Sequence, residues 1–101
     1  MVESIKELEA QHRERMQQAT QGFATFCKSL QINETSQAQL LGVSRQTWVN
    51  YKNAKTTPTP AFAARMKIVL PLLRQAKEQG LLPIDGRHKQ GGVVKQILSL
   101  Q

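Results

Sequence analysis

The residue pattern between positions 33 and 53 constrains the fold more than any other part of the chain. Asn33 and Ser44 have side chains that accept hydrogen bonds at helix N-termini, and each precedes a run without Gly or Pro. Gly42 ends the first run, because glycine readily adopts the left-handed conformation found after helices. The sequence therefore predicts two short helices, 34–41 and 45–53, separated by the turn Gly42-Val43-Ser44.

The second of these helices has two chemically different faces. Trp48 and Tyr51 are three residues apart and so share one face, which we expect to pack with Leu41 and Val43. The opposite face carries the polar Arg45, Gln46 and Asn50 together with Val49, and Thr47 lies near its edge. A short turn beginning with glycine is typical of the helix-turn-helix, and exposed donors and acceptors near a helix N-terminus suit a DNA major groove.

The flanking segments also predict helices. Residues 2–31 have an apolar stripe at steps of three and four, which indicates a helix near 2–20 that is continuous or kinked at Gly22 into a second helix over 21–31. The stripe contains Ile5, Leu8, His12, Met16, Ala19, Phe23, Phe26, Cys27 and Leu30. Another helix is expected from Pro60 to about residue 79, kinked at Pro71. Residues 81–84 should fold back on the core, 85–92 should form a loop, and a terminal helix is favoured over an edge strand.

These elements predict an all-α fold: a compact bundle of four to six helices that contains a helix-turn-helix and has an extended N-terminal helix. We expect an N-terminal helical extension over 1–20, a DNA-binding domain over 21–80 and a C-terminal tail over 81–101.

Charge is distributed unevenly along the 101 residues, whose net charge is +7. Residues 1–34 hold four basic and five acidic groups, whereas the stretch between Glu34 and Glu78 holds seven bases and no acid. A stretch of one sign favours a polyanionic partner, although a plain solvated surface is the alternative.

The segment A-Q-L-L-G-V-S-R-Q-T-W resembles the Cro/cI-type (lambda-repressor-like, XRE-class) helix-turn-helix domains of phage and plasmid regulators, and P-T-P-A-F-A resembles the stretch that follows their motif. The resemblance covers about residues 20–70. It implies base contacts from Arg45, Gln46 and Asn50, with Thr47 as a further candidate; arginine suits guanine and the amides suit adenine. It implies phosphate contacts from Asn33, Ser36, Lys52, Asn53 and Lys55.

Several positions depart from the pattern of this family. Glu34 stands where the family usually has a DNA-contacting glutamine, and a carboxylate there would repel phosphate. Gln37 replaces an apolar residue, so we expect it to be half exposed. Lys52 and Ala54 replace the glutamate and glycine that are common after the recognition helix.

The expected function is sequence-specific binding of double-stranded DNA by a transcriptional regulator of a phage, plasmid or other mobile element. A homodimer on a palindromic operator would repress by covering a promoter. The apolar stripe either packs over the helix-turn-helix core or pairs with a second subunit, and this stripe or the tail would form the dimer interface. Two alternatives remain open: an antitoxin that also binds a toxin, and an RNA-binding or nucleoid-type module.

Other functions find little support in the sequence. No arrangement of nucleophile and base or of paired carboxylates indicates an enzyme, and no cofactor or metal is expected; His12 is interpreted as an interface residue. Residues 87–89 are either a phosphate-contacting arm or a solvated loop. A single cysteine, the absence of a secretory pattern in MVESIKELEA, and apolar runs far shorter than the ~20 residues of a membrane span favour a cytoplasmic protein.

Overall fold

The computed structural model describes residues 2–86 and 89–100. This part of the chain contains five α-helices and no strand. The helices are α1 (Val2–Ser29), α2 (Glu34–Leu41), α3 (Arg45–Lys52), α4 (Pro60–Glu78) and α5 (Gln90–Leu98). The expectation of an all-α bundle with a long N-terminal helix is confirmed.

The helix starts follow from local capping chemistry. The side-chain oxygens of Asn33, Ser44 and Thr59 each accept a hydrogen bond from the backbone N–H three residues later, at 2.8 to 3.1 Å. Each bond satisfies one of the N–H groups that a helix start leaves without an internal partner. Gly42 ends α2 with a φ of 70°, in the left-handed region. The predicted starts of α2, α3 and α4 are confirmed.

Helix α1 is continuous through Gly22 and across the expected division at residue 20. Met16 and Thr20, on the N-terminal side of that division, are already buried, and the Thr20 hydroxyl donates to the Met16 carbonyl. Residues 4–15 are all exposed. The longest dimension of the molecule, 52 Å, reflects this long helix.

One hydrophobic core joins all five helices. Its fully buried large side chains include Trp48, Leu40, Leu73, Val69 and Ile97. Helix α4 continues through Pro71, whose missing N–H removes one hydrogen bond without ending the helix.

The C-terminal tail belongs to this core. Leu82 and Ile84 are buried, as predicted for the segment 81–84. The expected loop over 85–92 is wrong at its C-terminal end, because α5 begins at Gln90 and includes both following glycines. The Gln90 side chain fixes this start: its Nε2 donates to the Gln31 carbonyl at 2.8 Å, and its Oε1 accepts from the Asn33 N–H at 3.1 Å. The suggested arm over 87–89 lies partly outside the described residues.

Candidate nucleic-acid interface

Trp48 anchors α3 to the rest of the bundle. Its side chain is fully buried, with the ring edge-on to Phe23 of α1 at 6.1 Å between centroids and 5.8 Å from Phe62 of α4. Tyr51, one turn later, packs edge-on against the same Phe62 at 4.6 Å. Offset and edge-on aromatic pairs add to the free energy of burial. Helix α3 is therefore held from two sides, which fixes the direction of its opposite face.

Gln37 holds the polar edge of Trp48. The indole Nε1 donates to Gln37 Oε1 at 2.8 Å, and Gln37 Nε2 donates to the Ile32 carbonyl at 2.7 Å. The prediction that Gln37 is half exposed is therefore wrong: it is 6% exposed, and both ends of its amide are paired. A buried indole N–H requires an acceptor. Since the sequence already predicted that Trp48 is buried, this requirement could have indicated that a polar side chain such as Gln37 is buried beside it.

Side chains of helix α1 cap the C-terminal end of α3. The side-chain amides of Gln17 and Gln21 both donate to the backbone carbonyl of Lys52, the last residue of α3. These donors satisfy an acceptor that a helix end leaves unpaired. The orientation of α3 is consequently tied to α1 by polar contacts as well as by packing.

The candidate base-reading residues lie together on the outer face of α3. Arg45 and Gln46 are exposed, while Thr47 and Asn50 are half-buried. Gln46 Nε2 donates to Asn50 Oδ1 at 3.0 Å, and the Thr47 hydroxyl accepts from Ser44 Oγ at 2.8 Å. The amides thus form an ordered pair that still presents a free acceptor and free donor hydrogens to a partner.

Glu34 organises the positive charges next to this face. Its Oε1 lies 3.0 Å from Arg45 Nε, and its Oε2 accepts from Lys52 Nζ. These hydrogen bonds, first that of Lys52 and then that of Arg45, hold the pKa of Glu34 below its ordinary value. Sequence reasoning missed this cluster, because its members are 11 and 18 residues apart and meet only when α2 packs against α3. Glu34 neutralises charge that the sequence alone assigned to DNA.

The candidate phosphate-binding residues differ in how accessible they are to a partner. Asn53 and Lys55 are exposed in the loop after α3, and Asn33 is exposed at the start of α2. Ser36 is 3% exposed, so its expected phosphate contact does not fit this conformation. The Lys52 ammonium forms an ion pair with Glu34. Its Nζ also lies 5.5 Å from the centroid of the Trp48 ring, in a cation–π arrangement.

Ala54 shapes the loop that presents Lys55. Its φ of 58° lies in the left-handed region, which costs an alanine roughly 1 kcal/mol or more. The loop is held in this form because the Lys55 N–H donates to the Asn50 carbonyl at 2.9 Å. A glycine at this position would relieve the strain.

One base of the positively charged stretch has a structural role. Arg65 of α4 donates from Nε to the Leu40 carbonyl at 3.0 Å, near the C-terminal end of α2. A cation is favourable there because the carbonyl end of a helix carries partial negative charge.

Within residues 2–86 and 89–100, no group of three or more His, Cys, Asp or Glu side chains could hold a metal ion. No helix in the same residues is long and apolar enough to cross a membrane. Comparison of the chain with protein-family models, with curated proteins and with solved structures gives no match.

Proposed function

We propose that the protein is a sequence-specific double-stranded-DNA-binding transcriptional regulator that acts as a dimer and represses by covering a promoter. The observation that carries this proposal is the outer face of α3, where Arg45, Gln46 and Asn50 are grouped on a helix whose inner face is fixed by Trp48. Recognition of bases requires side chains on a rigid element, since small displacements break hydrogen-bond geometry.

The proposal assigns separate roles to the charged and uncharged groups. Arg45 reads a guanine through its guanidinium, and the amides of Gln46 and Asn50 read an adenine. Lys55 and Asn53 contact phosphates, which position the protein without reading sequence. In the free protein, Arg45 Nε lies 3.0 Å from Glu34 Oε1. Base recognition therefore requires the guanidinium to leave this carboxylate and to bind the edge of a base instead.

Glu34 also favours sequence-specific DNA binding over non-specific attraction to the phosphate backbone. Because its carboxylate offsets one of the two positive charges of Arg45 and Lys52, Glu34 lowers the attraction of this face for any phosphate backbone. Among the bases, guanine offers an arginine that leaves its carboxylate two adjacent acceptors, O6 and N7, whereas the others do not. Glu34 therefore disfavours non-cognate DNA more than the cognate sequence.

The test is selection of bound fragments from random duplex DNA, followed by affinity measurements on the selected and on scrambled sequences. Arg45→Ala is expected to weaken selected-site binding by about 1–3 kcal/mol and to relax preference at one base position. Lys55→Ala is expected to weaken all sequences alike and to reduce the salt slope by about one. Lys95→Ala is the matched control, because Lys95 is exposed on α5, which packs against α2 and α4.

Two results would contradict the proposal. Selection that enriches no duplex sequence would favour the nucleoid-type or RNA-binding alternative, especially if single-stranded RNA competed equally well. Equal losses of Arg45→Ala on selected and scrambled DNA would remove Arg45 from base reading.

A further inference from the structure

The first part of α1 carries apolar side chains that the monomer leaves in solvent. We call residues 4–15, about 18 Å of helix, the N-terminal arm. Ile5 and Leu8 in this arm are 57% and 64% exposed. The arm continues the apolar stripe of α1 on the N-terminal side of Met16, the buried residue that directly follows the arm. This part of the stripe is therefore not covered by another element of the described residues.

A groove between α1 and α4 has the complementary character. Its volume is about 410 Å³, and Met66 and Leu70 of α4 form one side. On the α1 side, the small and exposed Ala19 and Gly22 lie among Met16, Phe23 and Phe26. A Cβ built on Gly22 would meet no atom within 4 Å, so the space above this glycine is open. The groove accordingly has room for large apolar side chains from outside.

The arm and the groove match each other in spacing. Ile5 and Leu8 are three residues apart on one face of α1, and Ala19 and Gly22 are three residues apart on the same face. In an antiparallel pair of α1 helices, the register that places Ile5 of one copy over Gly22 of the other also places Leu8 over Ala19. Large side chains then occupy the positions where small ones leave space, and the two-fold symmetry repeats the contact.

Charged side chains border both surfaces. Glu9 and Arg13 are exposed beside Ile5 and Leu8 on the arm, and the groove is bordered by Lys67 and Arg74, also exposed, so the Glu9 carboxylate has bases to pair with there. The arm cannot fill the groove of its own chain, because both belong to one uninterrupted helix. A second copy supplies the same arm in the reverse direction.

We propose that the groove between α1 and α4 binds the N-terminal arm of a second copy, so that the protein forms a two-fold dimer through antiparallel α1 helices. The dimer is part of the proposed function, and its test uses no DNA, so a failure of this interface can be told apart from a failure of DNA recognition.

Sedimentation equilibrium of the full chain tests the interface. We expect a dimer at micromolar concentration, with the dissociation constant raised at least tenfold by Leu8→Lys in the arm and by Gly22→Arg in the groove. Ile68→Lys is the matched control, because Ile68 is 51% exposed on α4 and does not line the groove. Circular dichroism of each variant separates a lost interface from a lost fold; Gly22→Arg should melt no lower than the parent at monomeric dilution, since it replaces a glycine inside a helix.

Cross-linking tests the direction of pairing. The double variant Leu8→Cys/Ala19→Cys is expected to form a covalent dimer under mild oxidation. Leu8→Cys alone should not, because the two copies of that position are about 16 Å apart in the antiparallel register, beyond disulfide reach. Cys27 should not interfere, since it is buried and burial raises the pKa of its thiol to about 12.

Three results would overturn the proposal: a monomer at 100 μM or above (about the upper end of a practical titration), a dimer that Leu8→Lys and Gly22→Arg leave intact, or a covalent dimer formed by Leu8→Cys alone. The last would indicate parallel arms, and the second would place the dimer contact on another surface.

Discussion

The helix-turn-helix pair α2–α3 and the N-terminal arm both carry apolar residues at helical spacing, but only the first is covered. Trp48 is fully buried between side chains of α1 and α4, whereas Leu8 is 64% exposed. The difference arises because α4 packs against Trp48, whereas no element of residues 2–86 and 89–100 covers the arm. Spacing thus determines which face of a helix is apolar, while tertiary contacts determine what covers that face.

The largest expected effect contrasts these two regions directly. Trp48→Ala should lower the free energy of unfolding by about 3–5 kcal/mol, because it removes a fully buried ring and leaves Gln37 Oε1 without its donor. Leu8→Ala, measured in protein dilute enough to be monomeric, should change it by less than about 0.5 kcal/mol. Urea unfolding followed by circular dichroism gives both values. Comparable losses for the two variants would mean that the arm is already packed in the monomer.

A smaller loss is expected when only the polar support of α3 is removed. Gln37→Leu keeps a buried side chain of similar length but leaves the Trp48 Nε1–H and the Ile32 carbonyl unpaired. We expect a loss of about 1–3 kcal/mol. The exposed Gln39→Leu on the same helix is the control and should be close to neutral. If the two variants were equally stable, the Gln37 bridge would not contribute to the stability of the pair α2–α3.

The ion pairs of Glu34 should give a change of no more than about 1 kcal/mol, because they lie near the surface. The pKa of Glu34 is lowered in the folded protein, so its contribution is fully present above the ordinary value of 4.5 and is lost as pH falls through the lowered value. Glu34→Gln should therefore be less stable than the parent at neutral pH, and the difference should shrink in acid. Urea unfolding from pH 7 to pH 3 checks this; a difference that grew in acid would contradict the sign.

The smallest effect concerns the loop after α3. Ala54→Gly should raise the free energy of unfolding by roughly 0.5 kcal/mol, since relief of the left-handed strain exceeds the added entropy of the unfolded chain. Ala64→Gly, at an exposed position inside α4, should lower it by about 1 kcal/mol. Opposite signs in thermal unfolding are the expected result. A loss at both positions would show that Ala54 is not strained.

Local chemistry explains how much of the fold was predictable. Asn33, Gly42, Ser44 and Thr59 act on backbone groups within a few residues, so their roles can be derived from neighbours in the sequence. The beginning of α5 could not be derived in this way. Its first residue, Gln90, is fixed by contacts to backbone groups 57 and 59 residues away, and a glycine pair inside a polar stretch locally favours a loop.

The candidate site shows the same limit. The two faces of α3 followed from the positions of Trp48 and Tyr51, because helical geometry alone separates them from Arg45 and Asn50. The pairing of Arg45 with Glu34 did not follow, since charge counts along a chain contain no information on which groups meet.

The amide contacts from Gln17 and Gln21 to Lys52 have a consequence for the assembled protein. They fix α3, the candidate DNA-reading helix, to α1, the helix that would join the two copies, so that no flexible linker would separate the two α3 helices of a dimer. Changing the spacer between two half-sites by one base pair rotates one of them by about 35° around the DNA axis. A dimer joined by a stiff rod could not follow that rotation, and the protein should tolerate base changes within its site better than a change in the length of the spacer.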